Sequence, residues 1–247
     1  MPELFNPQAF EKLAEAEAAH WWFRSRNRLL TWALREKVGS FRNFLEVGCG
    51  TGFVLSGIHD AFPEVSLKGS EFFPEGLAFA RDRIPTASFE QLDARKFEET
   101  GTYDVIGAFD VVEHIPEDEL VLQNLGNGLR KGGHLILTVP QHRWLWSVVD
   151  EVACHVRRYS RSELCQKVES AGLKVNYVTS FVSLLVPLMY LARLRAQNKD
   201  YDPMSEFQIP TWMNWMLEQV MRVEHFLLKT GMSLPVGGSL LVLAQKS

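Results

Sequence analysis

From Phe41 onward the chain alternates short apolar runs with stretches of helical spacing, and that alternation restricts the folds open to it more than any other feature. FLEV precedes a helix over Phe53 to Ala61, and VSLKGS one over Pro74 to Arg83. ASFEQLD leads into a loop, YDVIGAFDVV into a helix over Glu117 to Leu129, and HLILTV into a polar stretch. Parallel strands need long crossover connections, which helices supply, so this order predicts an α/β architecture with a mostly parallel sheet covered on both faces. The pattern continues through a helix over Ser162 to Ala171 and a strand from Lys174 to about Thr179. It then breaks before a last strand, GGSLLVLAQK. The chain divides into an N-terminal helical cap over residues 1–40, a core over 41–180, a helical insertion over 181–232 and a closing strand within 233–247. With 247 residues, 46% of them hydrophobic, one domain with a full core is expected.

FLEVGCGTGF sets a strand ending in Glu46 and Val47 against Gly48, Cys49, Gly50 and Gly52 ahead of a helix. Glycines at such a turn let the main chain approach a ligand closely. The G-x-G-x-G spacing departs from the dinucleotide G-x-G-x-x-G and from the phosphate loop ending in G-K-[ST], which disfavours a dehydrogenase using NAD. Glu71, about 20 residues on, closes the second strand, where an acid can hold both hydroxyls of a ribose. Asp93 ends the third strand, placed to receive an adenine amino group, and Asp110 ends the fourth. Each acid alone reads as a helix cap or a solvated group. A glycine turn and three carboxylates on one sheet edge together read as a ligand site, because open α/β sheets bind at the carboxyl ends of their strands.

EVGCGTG, Glu71, LDA, FDVVEHI and RKGGHLILTVP, in this order and spacing, resemble the motifs of class I S-adenosylmethionine-dependent methyltransferases, close to the ubiquinone-biosynthesis-like group that acts on metabolites. The resemblance covers roughly residues 41–178. It implies a Rossmann-like seven-stranded sheet, its last strand antiparallel, with S-adenosyl-L-methionine as cofactor. It implies further that Glu46 and the loop over Gly48, Cys49, Gly50 and Gly52 surround the methionine part. Glu71 with Phe72 would hold the ribose, Asp93 with Ala94 the adenine, and Asp110 would begin a segment, including Val111 and His114, that faces the sulfonium.

A sulfonium methyl is already activated, so such an enzyme chiefly aligns the reacting atoms and excludes water. A hydroxyl acceptor also needs a base or a metal. His142 and His155 follow the fifth strand on the cofactor edge and are the candidate bases. Trp144, Trp146, Arg158 and Tyr159 are candidate substrate contacts; the alternative packs the tryptophans on the core and pairs Arg157 and Arg158 with Asp150 and Glu151. In some relatives an E-x-x-E-H segment accompanies a divalent metal. Here the first acid is Asp110 and no further ligands are evident, so Glu113 and His114 read as structural and no metal is expected.

HWWFRSRNRLL, from His20, resembles a feature of a subgroup of these enzymes. Trp22 closing over the cofactor and Arg26 meeting its carboxylate is one reading; an amphipathic helix whose aromatics seal the domain is the other. The insertion is rich in Leu, Met and Trp, which suits core, a homodimer interface, or a surface near Arg193 and Arg195 that meets a membrane or a lipid-linked acceptor. A net charge of −4 argues against general nucleic-acid binding and favours a small-molecule partner. Three cysteines without CxxC spacing suggest a reduced compartment, and an acidic N-terminal stretch without an apolar h-region predicts no signal peptide, hence a cytoplasmic protein. The expected activity is methyl transfer to an oxygen, before nitrogen or carbon, of a small or lipid-linked metabolite. An RNA or protein target and a non-catalytic scaffold are the alternatives.

Overall fold

One sheet of seven strands organises the chain, and its C-terminal edge carries every candidate residue of the glycine loop and the strand ends. The computed structural model describes residues 9–195 and 209–247. The strands are β1 (Asn43–Val47), β2 (Ser66–Glu71), β3 (Ser88–Gln91), β4 (Tyr103–Phe109), β5 (Leu129–Pro140), β6 (Leu173–Phe181) and β7 (Ser239–Lys246). They lie in the order β3-β2-β1-β4-β5-β7-β6. β1 pairs in parallel with both β2 and β4, whereas β7 runs antiparallel between β5 and β6. The predicted architecture, including the antiparallel last strand, is the one observed. Strand order reverses between β1 and β4, which places a crevice between their carboxyl ends.

The helices are α1 (Ala9–Glu17), α2 (Trp21–Ala33, widened into a π turn over Leu34–Val38), α3 (Phe53–Ala61), α4 (Pro74–Arg83) and α5 (Asp118–Gly128). After them come α6 (Val148–Val152), α7 (Arg161–Ser170), α8 (Val186–Arg195) and α9 (Thr211–Lys229). Side chains alternate across a strand, so each strand feeds two cores. Ile106, Leu135, Leu137, Leu240 and Val242 face α5 and α7 through Val121, Leu125, Leu164 and Val168. Val105, Phe109, Ile136, Leu241 and Leu243 face α2, α3 and α9 through Leu30, Leu55, Leu217 and Met221.

The insertion behaves differently from a loop lid. α9 is a layer helix of the sheet, locked to α2 where Asn214 accepts from Trp21 N and donates to Ala19 O, both at 2.8 Å. Burial of Leu217, Met221 and Leu228 against the sheet explains why this apolar stretch sits there. β5 extends further back than HLILTV because RKGG joins it, with an irregular register between Tyr103 and Val105 on its partner β4. Among the described residues, no helix is long and apolar enough to cross a membrane.

Candidate active site

The turn after β1 brings the glycine loop under α1 and α2. Gly48, Gly50 and Gly52 have φ of 73°, 53° and 75°, backbone that L side chains avoid. Glu71 organises the loop from β2, accepting from Gly50 N at 2.9 Å and from Phe73 N at 3.1 Å. The cavity above the loop is lined by Phe10, Leu13 and Glu17 of α1, Phe23 and Arg26 of α2, and Glu46, Cys49, Thr51 and Phe109. The contribution of α1 had no sequence motif to announce it. Its Glu17 accepts from Thr51 Oγ1 and from Arg83 Nη1 at 2.9 Å, pinning the cap over the loop.

Arg26 is buried and its guanidinium lies over the Trp22 ring at 4.2 Å. Nη1 donates to Asp110 Oδ2 at 2.5 Å, so the partner of Arg26 within the chain is the acid at the end of β4. Its Nε has no hydrogen-bond partner among the described residues, nor has Oε2 of the buried Glu46. Burial raises the Glu46 carboxyl well above the usual carboxylate range; Arg26 opposes that rise, while Glu71 and Glu17 add to it. A buried N–H and a buried carboxylate oxygen, both unsatisfied and lining one cavity, complement the carboxylate and ammonium of an amino-acid moiety such as the methionine part of S-adenosylmethionine. The residues therefore fit that cofactor.

Asp93 does not offer free oxygens. Arg95 holds both at 2.6 to 3.1 Å and Arg95 N caps on Oδ1 at 3.0 Å, which keeps its carboxyl below the usual range. Ala94 beside it is buried, and Phe72 is half-buried after Glu71. Val111 packs against the Gly48 turn, where a Cβ on Gly48 would meet it at 2.4 Å.

Residues 140–160 form a strap that leaves β5, passes α6 and returns to an isolated bridge between Gln141 and Tyr159. Two side chains expected to touch substrate instead lie inside it, buried and paired with carboxylates. Arg158 is 3% exposed, donating to Asp150 Oδ1 at 2.6 Å and to Gln141 O at 3.0 Å. Tyr159 is fully buried, donating to Asp118 Oδ2 at 2.7 Å. The cause is charge accounting: a buried carboxylate takes the nearest donors, and Asp150 and Asp118 lie inside the strap. Arg157 likewise pairs with Asp118, not with Glu151.

Trp144 and Trp146, 52% and 38% exposed, do not pack on the core. Trp144 stacks on His142 at 5.2 Å and meets Tyr190 of α8 edge-on at 6.0 Å. His142 has φ of 64°, as Asp110 has 58°, so the residues just after β5 and β4 both hold left-handed backbone that costs energy in a non-glycine residue. The imidazole of His142 is held below its ordinary pKa by burial and by the Arg158 charge, hence neutral at pH 7, and its Nε2 is buried without a hydrogen-bond partner among the described residues.

His155 hydrogen-bonds through Nδ1 to Asp150 Oδ1 at 2.9 Å, while Nε2 lies 4.0 Å from Glu113. Its ring meets His114 edge-on at 4.8 Å, and burial with the His155 charge lowers His114 to about 4. Glu113 is wholly buried with neither oxygen hydrogen-bonded among the described residues; burial and the Asp110 charge push it well above the usual range. Ligand atoms of Glu113, His114 and His155 lie within 4.8 Å of one another, a grouping that could hold a metal ion and that Glu113-His114 alone did not reveal.

A glycine turn at β1, an acid closing β2 and a crevice at the order reversal are common to Rossmann-like folds, and the antiparallel β7 between β5 and β6 makes this sheet that of the class I S-adenosylmethionine-dependent methyltransferases. A family described as a methyltransferase domain matches residues 13–178, and the chain belongs to it. The ubiquinone biosynthesis O-methyltransferase of Aeromonas salmonicida is 24% identical over 225 residues, 79% of this chain and 92% of that protein. The trans-aconitate 2-methyltransferase of Methylobacterium nodulans is 30% identical over 98 residues, 40% of this chain and 38% of that protein. The first curated relatives are matched over 38% to 63% of their own length. Among solved structures, one from the complex of the Haloferax volcanii Trm112 methyltransferase activator with a methyltransferase aligns over 96% of both chains with a TM-score of 0.63 at 18% identity. A geranyl diphosphate methyltransferase aligns over 91% of this chain and 78% of its own with a TM-score of 0.62 at 16% identity.

Proposed function

We propose that the chain transfers a methyl group from S-adenosylmethionine to an oxygen of a small or lipid-linked metabolite carrying an apolar or aromatic group. The observation that carries this reading is the pairing of His142 with Trp144: a neutral imidazole with an unpartnered Nε2 at the end of β5, stacked against an exposed indole. The indole and Tyr190 offer a flat apolar wall to the acceptor, and Nε2 can take the proton that a hydroxyl loses as it attacks. The cofactor supplies an electrophilic methyl carbon. Arg26 and Glu46 would hold the amino-acid end, Glu71 and Phe72 the ribose, and the cap of α1 and α2 would keep water from the reacting atoms. His155, oriented by Asp150, is the second candidate base.

Calorimetric titration with S-adenosylmethionine is the first test, since an absence of binding would favour a non-catalytic scaffold. Transfer of labelled methyl groups to a panel of hydroxylated apolar metabolites, repeated with His142→Ala, is the second. The base role requires turnover to fall about 10²- to 10⁴-fold with cofactor affinity unchanged.

Glu113, buried with neither oxygen hydrogen-bonded, favours a second reading in which Glu113, His114 and His155 would hold a divalent cation, which would supply Lewis-acid activation of an acceptor hydroxyl. The hydrogen bond from Asp150 would then orient a ligand instead of a base. Chelator treatment followed by re-addition of Mg²⁺ or Zn²⁺ separates the two: turnover indifferent to both leaves only the imidazole mechanism.

A further inference from the structure

α9 gives one side to the core and presents an opposite side of a kind that surface helices seldom carry. Inward lie Leu217, Met221 and Leu228, with Glu218, Glu224 and His225 also buried. Outward lie Trp212, Trp215, Met216, Val223 and Phe226, exposed by 66%, 64%, 43%, 56% and 64%. Their spacing of three, four and seven residues places them in one stripe, about 21 Å long at 1.5 Å per residue. Only the half-buried Gln219 interrupts it, where an ordinary amphipathic helix would show charge to water.

The exposed charges of α9 are Arg222 and Lys229, both positive and both along one border of the stripe. Its carboxylates point inward. Glu218 receives Arg24 at 3.2 Å, Arg28 at 2.8 Å and Arg222 at 3.3 Å, three cations on one anion. Glu224 accepts from the backbone of Ser183 and Leu184 at 2.6 and 2.9 Å. This face is therefore locally cationic on a chain whose net charge is −4. A second copy of the chain fits poorly, because a two-fold contact centred on the stripe would bring Arg222 and Lys229 near their own counterparts with no outward acid on α9 to pair them.

We propose that α9 docks the enzyme on an anionic lipid surface. The stripe enters the boundary between headgroups and acyl chains, Trp212 and Trp215 occupy the interfacial depth that indoles favour, and Arg24, Arg222 and Lys229 meet lipid phosphates. The helix lies on the bilayer without spanning it, in keeping with the absence of a spanning helix among the described residues. Docking sets the N-terminus of α2, bound to α9 through Asn214, at the same surface, and α2 is the helix whose Arg26 lines the cofactor cavity. The inference does not depend on what acceptor is methylated. It also moves membrane contact away from Arg193, which turns inward to donate to Leu145 O, Ser147 Oγ and Asp150 Oδ2 at 2.6 to 2.9 Å. The side chain of Arg195 lies outside the described residues.

Co-sedimentation of the full chain with vesicles of phosphatidylglycerol and phosphatidylcholine, against pure phosphatidylcholine, tests this directly. The wild type is expected to partition onto the anionic vesicles, and added salt to weaken it. Trp212→Ser with Trp215→Ser, and separately Arg222→Glu with Lys229→Glu, should each lower partitioning by about tenfold or more while S-adenosylmethionine affinity, the check on folding, stays unchanged. Wild type that ignores anionic vesicles, binds both kinds equally, or binds undiminished in the tryptophan variant would overturn the proposal. So would a wild-type dimer in light scattering that the tryptophan variant turns into a monomer, since the stripe would then be covered by a second copy.

Discussion

Nη1 of Arg26 donates to Oδ2 of Asp110 at 2.5 Å, joining the N-terminal cap to the end of β4 across 84 positions of sequence. One guanidinium thus holds the helix that closes the cavity and leaves its Nε without a hydrogen-bond partner among the described residues. Asp110, in left-handed backbone, is fixed by the same contact. The cap thus lines the cavity as well as covering it.

Arg26→Ala should therefore weaken S-adenosylmethionine by about 10- to 100-fold, the range of one to two charge-assisted hydrogen bonds. Arg26→Lys should recover little, because an ammonium cannot serve Asp110 and a second carboxylate with a planar fork. Calorimetry reads both, and full affinity in the lysine variant would show that charge alone suffices.

Glu46 yields a pH signature. Its folded-state pKa is raised, chiefly by burial, so its contribution to stability is present below the ordinary glutamate value and is lost as pH rises through the raised one. In the ligand-free enzyme, the Tm of Glu46→Gln minus that of wild type should therefore grow as pH rises from about 4 towards 8. The same substitution should weaken S-adenosylmethionine about tenfold by removing the charge opposite its ammonium. Thermal scans across pH measure the first effect, and a pH-independent difference would mean that Glu46 has another partner when folded.

The glycine loop, Glu71 and Asp110 were legible in the sequence because each is set by local spacing at a strand end, and the alternation fixed which edge they share. The acceptor side was not. Whether Arg158 meets substrate or Asp150 depends on how a strap of some twenty residues closes, and nothing in the spacing carries that. One local sign existed: Ser147 and Asp150 form a capping box that starts α6 and turns Asp150 inward, where it collects Arg158, His155 and Arg193. The proximity of Glu113 to His155, 42 residues on, and that of Glu17 to Thr51 and Arg83 are products of tertiary packing. The same holds for α9, whose two faces were both apolar enough to look like core.

Tyr159→Phe tests whether Tyr159 serves the strap or the acceptor. Removing the hydroxyl deprives buried Asp118 of a donor at 2.7 Å, although Arg157 and Lys167 remain. The variant should lose roughly 1.5–3 kcal/mol of stability. Its KM for the acceptor should be that of the wild type. Thermal denaturation with steady-state kinetics decides the matter: a raised KM at unchanged Tm would return Tyr159 to the substrate site.

Gly48 and Gly39 separate backbone strain from ligand geometry. Both have positive φ, 73° and 83°, and Gly39 combines it with ψ of −128°, outside the left-handed helical well, so alanine at either should cost about 1–3 kcal/mol. At Gly39 a Cβ meets nothing within 4 Å, whereas at Gly48 it would strike Val111 Cγ2 at 2.4 Å and press on the turn that carries Asp110. Val111 must move, and with it the segment facing the cavity. Gly39→Ala should then lower Tm while S-adenosylmethionine binds as in the wild type, and Gly48→Ala should lower Tm and weaken binding by at least about tenfold, more than one lost contact of a mispositioned loop. Equal affinity in the two variants would mean that Val111 yields freely, and that the Gly48 turn matters for the fold alone.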